Sequence, residues 1–334
     1  MNRDITFDIM KGIAIIAVLI GHTDGINLWG KNFIYSFHMP LFFILSGCFF
    51  RDKGLTYGNV TKKNFKRLIV PYLFTCLLLL AYTMLYAYKK HNMLLLFDEF
   101  WAVVWAAGYY HHSPLLGDVQ YIGPIWFLVS LFWCKLAYLV LYRQTRKTLV
   151  LPIAVIVSIC AVMLDYYVVN LPLGILPGLS ALVFYAMGHY IKESQIPQWI
   201  FWMFVCCWAL AIWHATAIEA LSHNPMICIC RYACWPLDVG GALGGVFVVY
   251  LLSKRIEKYT KWISQAFAWC GSLSLPILCF HVLELNTAFF TILYQTVHVD
   301  VGFTIILLSR VIFVILLTMI SMKLTICRKI FQIK

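Results

Sequence analysis

This sequence predicts an all-α, polytopic integral membrane protein with about ten transmembrane helices and cytoplasmic N- and C-termini. Three observations lead there. The 334 residues are 62% hydrophobic and only 12% charged, and the mean hydropathy of +0.83 lies well above that of soluble domains. Runs of about 20 apolar residues, enough to cross ~30 Å of hydrocarbon, recur along the whole chain. The basic residues gather in alternate loops between those runs, the pattern of the positive-inside rule.

The apolar runs put spans at about 9–28, 32–50, 68–88, 122–142, 149–169, 173–191, 199–219, 235–253, 266–287 and 303–324. If they alternate, one side collects Arg51, Lys53, Lys62, Lys63, Lys66 and Arg67, then Arg143, Arg146 and Lys147, then Lys192. Lys254, Arg255, Lys258, Lys261, Arg328 and Lys329 join them. The loops of the other side keep Lys31, Lys89, Lys90 and Arg231. The formal charge of +12 therefore reads as membrane topology and not as a nucleic-acid footprint. Residues 91–121 are apolar and aromatic but interrupted by Asp98 and Glu99, which predicts an interfacial or re-entrant helix. His111 and His112 follow it without a spaced third ligand, so they read as a wet loop, and no metal is predicted. Most of the twelve cysteines lie in apolar runs as small hydrophobes. Cys228, Cys230 and Cys234 fall in an outer loop where a disulfide can form. With no linker or repeat, residues 1–334 read as one membrane domain.

Ionisable groups inside apolar runs are costly in lipid and mark functional positions. Residues 1–50 hold four: Asp8, Lys11, His22 and His38. A second apolar run follows the first at once, which argues against a signal peptide. Lys11 and His22 are eleven residues apart; at 100° per residue they share one helix face, ~16 Å apart along the axis. Asp8 lies one turn before Lys11 and can pair with it. At 1.5 Å per residue, His22, His38, His281 and Arg310 reach one layer in the outer third of the bilayer, with Glu284 one turn beyond His281. Lys11, Arg67 and Ser46-Gly47 fall near the cytoplasmic side. The plainer readings are that His38 and Arg310 snorkel outward, Lys135 snorkels inward, and Asp165, Glu219 and Asp238 are solvated at outer helix ends. His22 and His281, deeper and shorter-limbed, have less access to water.

A cation at the cytoplasmic edge with a histidine above it suits an anionic cytosolic donor whose reactive end enters the membrane. Lys and Arg bind phosphate, and histidine can take a hydroxyl proton. Acyl-CoA has that shape, yet the same layout suits a transporter or flippase using the buried His, Arg and Glu as a proton relay.

Several motifs bear on this choice. Asp8-x-x-Lys11-Gly12 followed by His22 resembles the first-span signature of the acyltransferase family 3 membrane proteins. Phe37-His38-Met39-Pro40-Leu41-Phe42-Phe43 with Ser46-Gly47 is similar to that family's second span, in the form of its fucose 4-O-acetylase-like branch. Arg67-Leu68-Ile69-Val70-Pro71-Tyr72, Trp126-Phe127-Leu128 and Ser272-Leu273-Ser274-Leu275-Pro276 leading to His281 continue the resemblance over nearly the whole chain. Lys11 stands where Arg is also common, and Cys48 where an aromatic is usual.

The resemblance implies a bacterial inner-membrane O-acetyltransferase. It would move an acetyl group from cytosolic acetyl-CoA to a carbohydrate hydroxyl at the cell surface or on a polyprenyl or other lipid carrier. His22 would act as general base, His281 and Glu284 beside it; Lys11, held by Asp8, and Arg67 would bind CoA. His38, Trp126, Arg310 and Ser46 would contact substrate, with Ser46 either a nucleophile or, with Gly47, a small pair for close helix packing. Reporter fusions or cysteine labelling are expected to place residues 51–67 and the C-terminus in the cytoplasm; an external C-terminus would remove the ten-span topology.

Overall fold

The computed structural model describes residues 4–23, 25–193, 197–219, 223–287 and 303–333. Helices α1 (Ile5–Gly21) and α2 (Leu28–Cys48) come first, then α3 (Tyr57–Asn64), which runs through a π-helical turn at Phe65–Ile69 into α4 (Val70–Lys89). After α5 (Leu94–Trp105) come α6 (Trp126–Gln144), α7 (Lys147–Tyr167), α8 (Ile175–Ser180), α9 (Leu182–Glu193) and α10 (Gln198–Ile218). The remainder is α11 (Trp235–Tyr259), α12 (Lys261–Ser272), α13 (Ser274–Asn286), α14 (Phe303–Lys323) and α15 (Thr325–Ile330). The loop 91–121 contains the expected short helix, α5, and also a two-stranded antiparallel hairpin that the sequence does not announce, with His111 opposite Val119 and Ser113 opposite Gly117.

Among the described residues, six helices are long and apolar enough to cross a membrane: Tyr57–Lys89, Trp126–Gln144, Lys147–Tyr167, Gln198–Ile218, Trp235–Tyr259 and Phe303–Lys323. The pair α12 and α13 makes a seventh if taken as one span. Leucine, isoleucine, methionine and tryptophan side chains stand exposed along α4, α7, α10 and α14, the surface that lipid covers in a membrane protein. The chain is therefore an all-α polytopic membrane protein.

Residues 266–287, expected as one continuous span, instead bend by 71° between α12 and α13. Pro276 explains the break: it has no N–H to give Ser272, and its ring clashes with that carbonyl. Ser272 is accordingly the last residue of α12. Pro71 acts similarly on α4. Arg67 loses the donor four residues on, and the Val70 N–H reaches back five residues to Phe65, giving the π turn that carries Arg67.

Helix α1 lies inside the assembly, against α2, α11, α12, α13 and α14. Small residues permit this closeness. A Cβ on Gly271 would overlap the Asp8 carbonyl oxygen of α1, and one on Gly47 would overlap the Tyr185 carbonyl oxygen of α9. Without a hydrophobic drive between helices in lipid, such backbone approach is a main source of association. On the basic side, Arg143 at the end of α6 grips Asp52 through Nε at 2.8 Å and Nη2 at 2.5 Å, and donates to the Leu55 carbonyl at 2.8 Å. Those guanidinium bonds, followed by the Gly54 N–H, hold the Asp52 carboxyl down at about 2.

Gly47→Val and Gly271→Val are each expected to destabilise the detergent-solubilised protein by about 1–3 kcal/mol, the usual effect of overpacking. Gly58→Ala, where nothing lies within 4 Å of the added methyl group, is expected to leave the thermal midpoint unchanged or raised.

Candidate active site

Helix α1 ends at His22, which caps it. The His22 carbonyl has no intrahelical donor, as at any helix C-terminus. Arg310 of α14 supplies one, its Nη1 lying 2.5 Å from that oxygen. Its Nε lies 3.0 Å from Glu284 Oε1, and Glu284 Oε2 lies 3.1 Å from His281 Nδ1. Glu284 thus stands between Arg310, which it meets as an ion pair, and the His281 ring, with which it shares a hydrogen bond. The His22 and His281 rings meet edge to face, centroids 5.4 Å apart.

Hydrogen bonding sets the tautomer of His22. Its Nδ1 sits 2.8 Å from the Val18 carbonyl oxygen, which can only accept, so the proton is on Nδ1 and Nε2 presents a lone pair. The Tyr35 hydroxyl faces that lone pair at 3.3 Å and the Gly21 carbonyl at 3.4 Å. Tyr35 also touches the His38 ring, with centroids 4.8 Å apart, and the His223 ring at 3.8 Å. His38 is fully buried, with Nδ1 2.8 Å from the Ile34 carbonyl oxygen. The five residues expected in one layer, His22, His38, His281, Glu284 and Arg310, are thus linked by these contacts. His38 and Arg310 are buried and do not snorkel.

A small cavity of about 20 Å³ is lined by His22, Tyr35, His38, Trp126, His223 and Cys228, among others. Its roof is the loop after α10. Enclosure, and then the neighbouring His22, His38 and Lys31, pull His223 down to about 3, so it is neutral at ordinary pH. Asp165 and Asp238, expected to be solvated, are buried and pin this loop instead. Asp165 pairs with Arg231 at 3.0 Å and accepts from Asn170 at 2.8 Å. Asp238 accepts from Asn224 at 2.8 Å and from the Cys234 N–H at 2.9 Å. Water is scarce at these helix ends because the loop folds over them. Cys228, Cys230 and Cys234 are free thiols, as are the other nine cysteines. His111 bonds Asn170 at 2.9 Å and His112 bonds Asp118 at 3.0 Å. Among the described residues, no group of three His, Cys, Asp or Glu is placed to hold a metal ion.

At the other end of α1, Lys11 pairs with Asp8 at 2.6 Å, as the spacing predicts. Arg67 is exposed on its π turn, within electrostatic reach of Lys135 along with Lys63. Lys135 places its ammonium 5.7 Å from the Tyr185 ring. Ser46 is half-buried, two turns below His38 on α2 and apart from the histidines. Sequence reasoning missed Tyr35, although it lies one turn from His38 on the same helix face. It also missed His223, for which a loop offers no periodic signal.

The acyltransferase-domain model of family 3 matches residues 4–323. The chain belongs to acyltransferase family 3. It is 40% identical over 98 residues to the nodulation protein NolL of Sinorhizobium fredii (strain NBRC 101917 / NGR234), covering 23% of this chain and 25% of that relative. It is 38% identical over 97 residues to NolL of Mesorhizobium japonicum (strain LMG 29417 / CECT 9101 / MAFF 303099), covering 23% of this chain and 24% of that relative. The match thus spans about a quarter of the length of these relatives. No solved structure matches. The domain that this family model describes is an acyltransferase domain.

Glu284 and Arg310 answer one another's buried charge. Glu284→Gln is expected to destabilise the protein by about 3–5 kcal/mol, because Arg310 is left uncompensated. The double variant Glu284→Leu/Arg310→Met is expected to recover most of that loss in thermal unfolding.

Proposed function

We propose that this protein is an O-acetyltransferase of a bacterial inner membrane. It moves an acetyl group from cytosolic acetyl-CoA to a hydroxyl of a cell-surface or lipid-linked carbohydrate. One observation carries the reading: His22 presents an unprotonated Nε2 to a hydroxyl, that of Tyr35, at 3.3 Å in a buried site. A base in that state can take the proton of an acceptor hydroxyl as its oxygen attacks the thioester carbonyl. The carbon–sulfur bond then breaks, and the imidazolium returns the proton to the departing CoA thiolate.

His281 lies against the base, and its contact with Glu284 supports a role in orienting reactants and answering the charge that develops on His22. Arg310 adds a cation beside the forming oxyanion. Lys11, with Asp8 at its side, and Arg67 are proposed to bind the CoA phosphates, with Lys63 and Lys135 adding charge. His38 and Trp126, which line the cavity, are proposed acceptor contacts. Ser46 is better suited to helix packing, since it stands beside the tightly packed Gly47. The accompanying topology has ten spans: the seven above together with α1, α2 and the broken α8–α9 pair. Both termini are then cytoplasmic, in one membrane domain over 1–334.

Mass spectrometry of surface glycans from a deletion strain and its complement is expected to show loss and return of an acetyl mass. His22→Gln keeps size and hydrogen bonding but cannot accept the proton, so the rate is expected to fall about 10²–10⁴-fold at normal protein level. Near-wild-type acetylation in His22→Gln would sink the assignment of the base. Lys11→Ala and Arg67→Ala are expected to weaken acetyl-CoA binding, while Lys11→Arg retains it; unchanged affinity in both alanine variants would remove the donor site.

A further inference from the structure

The cavity beneath the outer loop is bounded by imidazole acceptors that call for donors. His38 is committed through Nδ1 to the Ile34 carbonyl at 2.8 Å, so its Nε2 is a bare lone pair. That nitrogen is buried and has no hydrogen-bond partner among the described residues. His22, on the same cavity, has the same tautomer, and among the described residues its Nε2 is met by the long contact from Tyr35. Nearly all buried polar atoms in proteins are bonded, and a group with no proton to give, such as a carbonyl, ether or phosphate oxygen, cannot satisfy either nitrogen. The space now holds about 20 Å³, room for one water, so a sugar ring enters only by displacing the whole Tyr35 side chain from it.

We propose that the site reads its acceptor as a pair of hydroxyl donors on one sugar ring. One hydroxyl replaces Tyr35 at His22 Nε2 and is the one acylated, its proton passing to that nitrogen as the ester bond forms and CoA leaves. The second hydroxyl stays intact and donates to His38 Nε2, which makes His38 a specificity-determining residue for the neighbouring position. Trp126, on the same cavity, offers a flat apolar surface to the ring. This rests on the reading of His22 as the base. It adds that a second free hydroxyl is required, and required as a donor.

The test uses the full-length protein in lipid nanodiscs with ¹⁵N-labelled histidine, its ring signals assigned through His22→Gln and His38→Asn. Without sugar, the His38 ring is expected to carry its proton on Nδ1. A panel of methyl pyranosides is then titrated, and at least one is expected to move the Nε2 signals of both His22 and His38. Masking the second hydroxyl of that sugar by O-methylation or fluorine is expected to weaken binding at least about fivefold, since it removes a donor and leaves an acceptor nitrogen unmet. A proton on His38 Nε2, no response to any pyranoside, a response confined to His22, or equal binding of masked analogues would each overturn the proposal. Acetyl transfer is measured in parallel. Its loss in His22→Gln with an unresponsive His38 defeats this inference alone. Responses in both rings with His22→Gln still active defeat the base assignment and leave the two-donor site standing.

Discussion

Arg310 is the constraint on which the candidate site depends. A guanidinium cannot shed its charge, and burying it costs several kcal/mol unless partners are supplied. Here it has two: the Glu284 carboxylate of α13 at 3.0 Å and the carbonyl that ends α1 at 2.5 Å. The second contact answers an oxygen left unbonded by the helix geometry itself and sits at the negative end of the α1 dipole. Three helices from opposite ends of the chain are joined at this point. The edge-to-face meeting of His22 and His281 follows from it, because each ring is attached to a group that Arg310 holds.

The loop residues 223–234 extend the same logic to the cavity. Asp165 and Asp238 take up Arg231 and Asn224, so the loop is tied to α7 and α11 and carries His223 over Tyr35. A cavity of about 20 Å³ under that roof keeps bulk water from His22. For the proposed acyl transfer this matters, since water that reached both His22 and a thioester would hydrolyse the donor. The Lys11 end of α1 is built differently. Arg67 is exposed on its π turn, as suits the anionic head of the proposed donor, while the proposed base His22 lies ~16 Å from Lys11 along α1. The proposed acyl-CoA donor, long and thin, has the shape to span that separation.

The close packing of α1 has a functional consequence as well. Gly271 lets α12 approach the backbone of Asp8, which places the Asp8–Lys11 pair against a neighbouring helix. The bend that Pro276 imposes then turns α13 away from the line of α12 and brings His281 toward His22. One small residue and one proline, five positions apart, thus position the two ends of the proposed reaction path.

By itself the sequence determined whatever depends on spacing within one helix. Apolar run length determined the membrane class, and the three-residue steps Asp8–Lys11 and His281–Glu284 determined two contacts, because a helix fixes which side chains share a face. The family was legible too, from motifs in a fixed order. What only the tertiary structure decided is what depends on which faces meet. The Arg310 bond to His22, the burial of Asp165 and Asp238, and the placement of His223 join residues far apart in the chain or in loops, where no periodicity exists. Tyr35 is the intermediate case. Its helix face was legible, but its hydroxyl acquired a partner only when α1 packed beside α2, since a lone pair has no address until another helix supplies the donor.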